Sequence, residues 1–294
     1  SIVALLLIPV AAVASEGTPP ISFRGRTLDH QGNPLSDVKV TLYEVHYGES
    51  SRMPAAERIE EVATGPDGAF VLTRTRESEG YRQGSVIARK DGLALGWAVW
   101  DMQEGDQQSD ITLGPPGELG GTIVDEGGTP IVDAAVSIAI AIIGREEDRR
   151  YITYFVAPQL LTVRTDSSGR FVFPNLPGEA TCELLVKKAG RATICTFDAS
   201  NYSGGKCQFS PGQEGIKLTL PAEARIEGMV VEKADGKPVA DVALIAQPGR
   251  RGLPFAVEPV TSSQDGTFFI GGLSADSYTL QLTSGGKGPT EWVA

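Results

Sequence analysis

Three stretches of this chain carry one pattern of apolar and polar positions. They are GRTLDHQGNPLSDVKVTL (25–42), GTIVDEGGTPIVDAAVSI (121–138) and GMVVEKADGKPVADVALI (228–245). Each has a glycine, a short apolar run and a polar turn ending in Gly-x-Pro. Apolar residues then stand at alternate positions, the period of a half-buried strand. A second block follows each first one: TGPDGAFVL (64–72), TDSSGRFVF (165–173) and SSQDGTFFI (262–270). Its turn closes on glycine, with phenylalanine two residues on: Gly68 and Phe70, Gly169 and Phe171, Gly266 and Phe268. A tight hairpin turn closes in a left-handed residue, which glycine adopts at no steric cost, and the ring then returns to the core face. Two ordered blocks repeated three times predict three copies of one small all-β unit.

The runs between the blocks supply the other strands. ISFRGRTL, VKVTLYEV (38–45), both arms of GSVIARKDGLALGWAVW (84–100) and SDITL (109–113) belong to the first copy. AAVSIAIAII (134–143), YITYFV (151–156), LLTVRT (160–165), NLPGEATCELLVKKAG (175–190), RATICTF (191–197) and GIKLTL (215–220) belong to the second. LSADSYTLQLTSGG (273–286) belongs to the third. The polar HYGESSRMPAAERIEEV (46–62) reads as a loop or short helix, and GREEDRR (144–150) as a solvated loop. Roughly 100 residues and about seven short strands per copy predict an antiparallel two-sheet sandwich, Ig-like or prealbumin-like. The expected organisation is three tandem β-sandwich modules at 21–114, 115–220 and 221–294. The third is expected to be truncated, because no counterpart of SDITL or GIKLTL follows Leu282. Short connections predict modules set end to end as a stiff rod, each large enough to bury its own core.

The first residues, SIVALLLIPVAAVA (1–14), are apolar without a break and stop at Ser15. As a helix they would rise roughly 21 Å, too short for a hydrocarbon core of about 30 Å. Ala12-Val13-Ala14 fits the small-x-small pattern of a signal-peptidase site. The stretch reads as a cleaved export signal truncated at its front, with 15–20 as a linker, so the mature chain is expected in a periplasmic or extracellular space without membrane insertion. A net charge of −11 with no basic cluster argues against a nucleic-acid partner. High glycine and proline use (35 and 19 residues) fits a chain of many short strands and turns.

Three cysteines, Cys182, Cys195 and Cys207, fall within the second copy. An exported protein keeps disulfides, and three thiols allow one bridge. Cys195 with Cys207, flanking the turn-rich 198–206, is the preferred pair; Cys182 with Cys195 and three buried thiols are the alternatives. Ligand spacing for a metal is missing, and the one or two carboxylates of each acidic turn fall short of the six to eight oxygens calcium takes. The two histidines, His30 and His46, lie in a turn and at a strand end, outside any zinc-peptidase or serine-triad context. Neither a catalytic site nor a cofactor is expected.

With these blocks in view, the chain resembles the carboxypeptidase regulatory-like domain, a family similar to transthyretin-like and B-type adhesin sandwiches. The motifs carrying the resemblance, three times between 21 and 294, are turn and core positions, which specify fold far more than function. The resemblance implies an exported, non-catalytic accessory protein that acts as a spacer or interaction scaffold for a partner protein or a further domain. It leaves two alternatives: the regulatory part of a larger exported enzyme, and a carbohydrate-binding module. Sugar sites on such sandwiches use exposed aromatic faces, for which Trp97 and Trp100, with Tyr81, are the candidates. Three positions apart on a strand, the two tryptophans point to opposite faces, so at most one is expected in a core; packing of both on cores or on the module junction is the reading favoured over sugar binding.

Overall fold

A computed structural model of the chain describes residues 20–46, 54–75, 82–144, 148–197, 208–248 and 258–282. Residues 1–19, Tyr81, Cys207 and 283–294, among others, lie outside the described residues. The protein is all-β. The first stretch contains β1 (Ile21–Leu28), β2 (Lys39–His46), β3 (Ala55–Ala63), β4 (Ala69–Arg74), β5 (Arg82–Arg89), β6 (Gly96–Asp101), β7 (Gln107–Gln108) and β8 (Ile111–Thr112). The second contains β9 (Pro116–Val124), β10 (Ala135–Ile143), β11 (Arg150–Ile152), a one-turn helix α1 (Pro158–Leu161), β12 (Thr162–Arg164), β13 (Arg170–Pro177), β14 (Thr181–Lys187), β15 (Ile194–Cys195) and β16 (Ile216–Thr219). The third contains β17 (Ala224–Met229), β18 (Ala243–Pro248), β19 (Val260–Thr261), β20 (Thr267–Leu273) and β21 (Tyr278–Leu282).

One pairing scheme recurs in each stretch. The first strand pairs antiparallel with the strand after the Gly-x-Phe turn: β1 with β4, β9 with β13, β17 with β20. The strand after Gly-x-Pro pairs antiparallel with the following long strand: β2 with β5, β10 with β14, β18 with β21. The two sheets of each stretch face each other across a core. In the first, Phe23, Phe70 and Leu72 of one sheet meet Val40, Leu42, Val86 and Trp100 of the other. One feature departs from a purely antiparallel sandwich. The closing strands β7 and β8 run parallel to β1, and β16 runs parallel to β9.

Residues 46–62, read as a loop or helix, instead end in the edge strand β3, paired with β2. A bulge skips Ile59 between the Glu60 and Arg58 pairings, and Ile59 and Val62 pack on the core three positions apart. That spacing erases the period-2 signal, and the charges left outside blunt the sheet edge.

Core independence also fails as an expectation. The sheet β3-β2-β5-β6 is apolar on both faces. Tyr43, Val45, Ile87, Leu95 and Trp97 point away from the first core and join the hydrophobic cluster of the second sheet pair, with Ile152, Val156 and Leu161. Polar contacts rim this seam. Tyr43 Oη accepts from Gln159 at 3.1 Å, the Gln83 amide donates to Tyr151 Oη at 2.9 Å, and the Leu95 N–H donates to Asn175 O at 2.8 Å. The first two sheet pairs are therefore one packed body. The second and third meet through backbone and charge: Thr193 N–H donates to Gly272 O at 2.7 Å, and Lys187 Nζ to Glu258 at 2.9 Å. Among the described residues no apolar cluster spans that junction.

Candidate functional site

The residues common to all three stretches are held in one arrangement. Thr64, Thr165 and Ser262, the first residue of each second block, are buried. The Thr165 hydroxyl donates to Ile131 O at 2.7 Å and accepts the Ala134 N–H at 2.8 Å. Thr64 does the same with Leu35 O and Val38 N–H, and Ser262 with Val239 O and Val242 N–H. Each hydroxyl thus ties the chain after Gly-x-Pro to the turn before the phenylalanine. The aspartate between its two partners is left-handed in every copy: Asp37 φ 54°, Asp133 φ 56°, Asp241 φ 58°. Aspartate is among the few side chains that tolerate this region. In the sequence the Thr/Ser and Asp positions are visible as motif letters; the clamp is not, because it joins residues 20 to 34 positions apart.

Thr165→Val, nearly isosteric, leaves a buried N–H and a buried carbonyl short of a partner. It is expected to cost about 2–3 kcal/mol. Thr165→Ser should retain most of the stability, since Ser262 fills the same role in the third copy. Denaturant unfolding of the two variants checks this.

The acidic turns spend their carboxylates on their own backbone. Asp166 Oδ1 accepts the N–H groups of Ser168 and Arg170, and Asp125 Oδ1 those of Gly127 and Thr129. The Ser263 and Thr267 hydroxyls hold Asp265 down to about 2. Hydrogen bonding to the ionised form explains that direction. Among the described residues no group of three or more His, Cys, Asp or Glu is placed to hold a metal. Buried Glu44 receives Arg74 Nε at 2.6 Å, and buried Glu183 accepts the Thr196 hydroxyl and the Gln208 N–H.

Both tryptophan candidates are interior. Trp100 is 0% exposed in the first core, where its indole N–H donates to Gly105 O at 2.9 Å. Trp97 is 1% exposed in the seam between the first two sheet pairs, and its indole N–H meets no acceptor among the described residues. The sheet is covered on both faces, so one ring lies in a core and the other at the junction, as the reading favoured over sugar binding has it. Neither ring offers a face to a sugar, and Tyr81 lies outside the described residues.

Cys195 stands opposite Leu185, three positions from Cys182. At about 3.3 Å per residue that is roughly 10 Å, beyond disulfide reach, which excludes the Cys182–Cys195 alternative. Thr196 and Gln208, the neighbours of Cys195 and Cys207, both bond the single carboxylate of Glu183.

Sheet edges are the remaining surfaces. In the first two pairs the closing strand covers the outer edge of the first strand: Leu113 N–H donates to Leu28 O, and Leu220 N–H to Val124 O, both at 2.8 Å. On the side of β17 away from β20 no strand stands among the described residues. Val231 is 47% exposed, where its counterpart Val124 is 6% exposed, and Met229 and Phe269 are also exposed.

No family model matches the chain, and no curated protein does. Solved structures match loosely. The Bacillus anthracis TIE protein shares 14% identity at TM-score 0.21, over 90% of this chain and 45% of that one. The shaft pilin SpaA from Lactobacillus rhamnosus GG shares 11% at TM-score 0.27, over 69% and 97%. A Streptococcal ancillary pilin shares 13% at TM-score 0.25, over 94% and 92%. The chain thus spans less than half the length of the TIE protein. Among the described residues no helix is long and apolar enough to cross a membrane.

Proposed function

We propose that the chain is an exported, non-catalytic interaction scaffold built of three tandem carboxypeptidase regulatory-like modules, at 21–114, 115–220 and 221–294. The threefold hydroxyl clamp supports the common descent of the three stretches. The observation that carries the scaffold reading is the apolar seam around Trp97. It fuses two sandwiches into one stiff body and spends on structure the aromatic residues that a ligand site would need. The side chains recurring in all copies hold turns, which fits a shape-bearing role. Partner proteins would then dock on sheet edges, whose unpaired backbone groups accept a further strand.

The export reading comes with a redox expectation. The protein recovered from outside the cytoplasm should begin at Ser15 and lack two thiol protons, from a Cys195–Cys207 bond. Closing that loop adds about 3 kcal/mol in the chain-entropy account. Intact mass with and without reductant reads both. Recovery in the cytoplasm with residues 1–14 attached and all three thiols free would sink the reading.

A further inference from the structure

In each of the first two sandwiches, three residues stand side by side on the outer face of the sheet that holds the closing strand. They are Ala69, Arg26 and Asp110 in the first, and Arg170, Thr122 and Lys217 in the second. The register places Ala69 opposite Arg26, and both Arg170 and Lys217 opposite Thr122. Asp110 corresponds to Lys217 because the residues before them, Ser109 and Ile216, bring their carbonyls against Gly25 and Gly121 in the same way. Three residues on from each, the N–H groups of Leu113 and Leu220 reach the matching carbonyls of Leu28 and Val124.

The two rows differ in charge. In the first, the Asp110 carboxylate accepts the Arg26 N–H at 2.9 Å and its guanidinium at 2.8 Å, so the row neutralises itself. In the second, two cations flank a hydroxyl. With neighbouring strands about 4.8 Å apart, the Cα atoms of Arg170 and Lys217 stand roughly 10 Å from each other across Thr122. Glu118 reaches Arg170 at 3.3 Å, an exposed pair that water weakens and a competing carboxylate can displace. Among the described residues no carboxylate pairs with Lys217.

This row borders a trough of about 650 Å³, inside the range of roughly 300–1,000 Å³ usual for small-molecule sites. Gly120 lines it, where the other copies carry Arg24 and Glu227, and the loop 212–215 brings Gln213 and Glu214 to its rim. Apart from the buried Ile216, every lining residue is a glycine or polar. Such a lining suits a ligand that hydrogen-bonds along its whole length. We infer that the trough binds an acidic sugar, a uronic acid unit. Its carboxylate takes the place between Arg170 and Lys217 that the chain's own Asp110 fills in the first sandwich, and the Thr122 hydroxyl donates to it. The ring hydroxyls donate to Glu118 and Glu214, which repel a second anion. This site goes beyond the scaffold reading and does not depend on it. It uses charge and hydroxyl contacts where an aromatic face is missing.

The probe is D-glucuronate, titrated into the full 294-residue chain and followed by proton–nitrogen correlation NMR. Saturable shifts are expected at the amides of Gly120, Thr122 and Gly215. Glucose lacks the carboxylate and acetate lacks the hydroxyls, so each should bind at least about tenfold more weakly, having lost one set of charge-assisted hydrogen bonds. Lys217 is exposed, so its variants should fold. Lys217→Glu should lower the affinity more than about tenfold, and Lys217→Arg, which keeps the charge, should stay within about threefold. Lys233→Glu makes the same change in net charge at an exposed turn of the third stretch and should stay within about twofold, because salt screens distant charges. Absence of saturable shifts overturns the proposal, as does glucose or acetate binding as well as glucuronate. Equal loss from Lys217→Glu and Lys233→Glu, or none from Lys217→Glu, overturns it too.

Discussion

Trp97→Ala is expected to destabilise the protein by about 3–5 kcal/mol, the range for emptying a large buried aromatic. The loss should fall on the first two sheet pairs together, because Trp97 sits in the cluster they share. In calorimetry their single transition should split or move as one to lower temperature, with the third pair unaffected. The contrast with phenylalanine is sharper. Trp97→Phe removes an indole N–H that meets no acceptor among the described residues, which offsets part of the lost contact area, and should stay within about 1 kcal/mol of the parent. Trp100→Phe breaks the bond to Gly105 O and should cost distinctly more. If Trp97→Ala proves neutral, or both phenylalanine variants lose equally, the packed seam is wrong.

Gly25→Ala is expected to cost more than about 4 kcal/mol, among the large single-substitution effects. Its new methyl would stand 2.0 Å from a backbone carbonyl, that of Ser109, and 3.1 Å from the Phe70 ring. The carbonyl belongs to the closing segment, which cannot yield without losing the pairing of β7 and β8 to β1. Among the described residues, Gly228→Ala makes its closest contacts with the Phe268 ring, at 2.6 Å. That ring is only partly buried and can swing, so the cost there should be less than half as large. Urea unfolding of the two variants gives the ranking, and a larger loss at Gly228 would contradict the edge geometry of the third pair.

Much of the fold was legible because its signals are local. Gly68, Gly169 and Gly266 are left-handed at the predicted turns, with φ of 73°, 73° and 78°. The period-2 runs became the long strands β2, β10 and β18. What escaped was whatever joins distant residues. Ile59 slipped out of register in a bulge, so β3 looked like loop. The Thr165 hydroxyl binds two residues over thirty positions upstream, a pairing no local window contains. The burial of Trp97 did leave a trace. WAVW is an unbroken apolar run, the mark of a strand covered on both faces, where a strand with one wet face would alternate. Trp97 and Trp100 point to opposite faces of that sheet and both faces are covered, so neither ring is open to a sugar.

The parallel closing strands have a mechanical consequence. Because β1 lies beside β8 and β9 beside β16 pointing the same way, the polypeptide enters each of these sandwiches at one end and leaves at the other. Tension along the chain would drag the paired strands past each other, loading all of their hydrogen bonds at once. An antiparallel pair pulled from neighbouring ends would instead peel open bond by bond. The first two sandwiches are thus built to resist stretching.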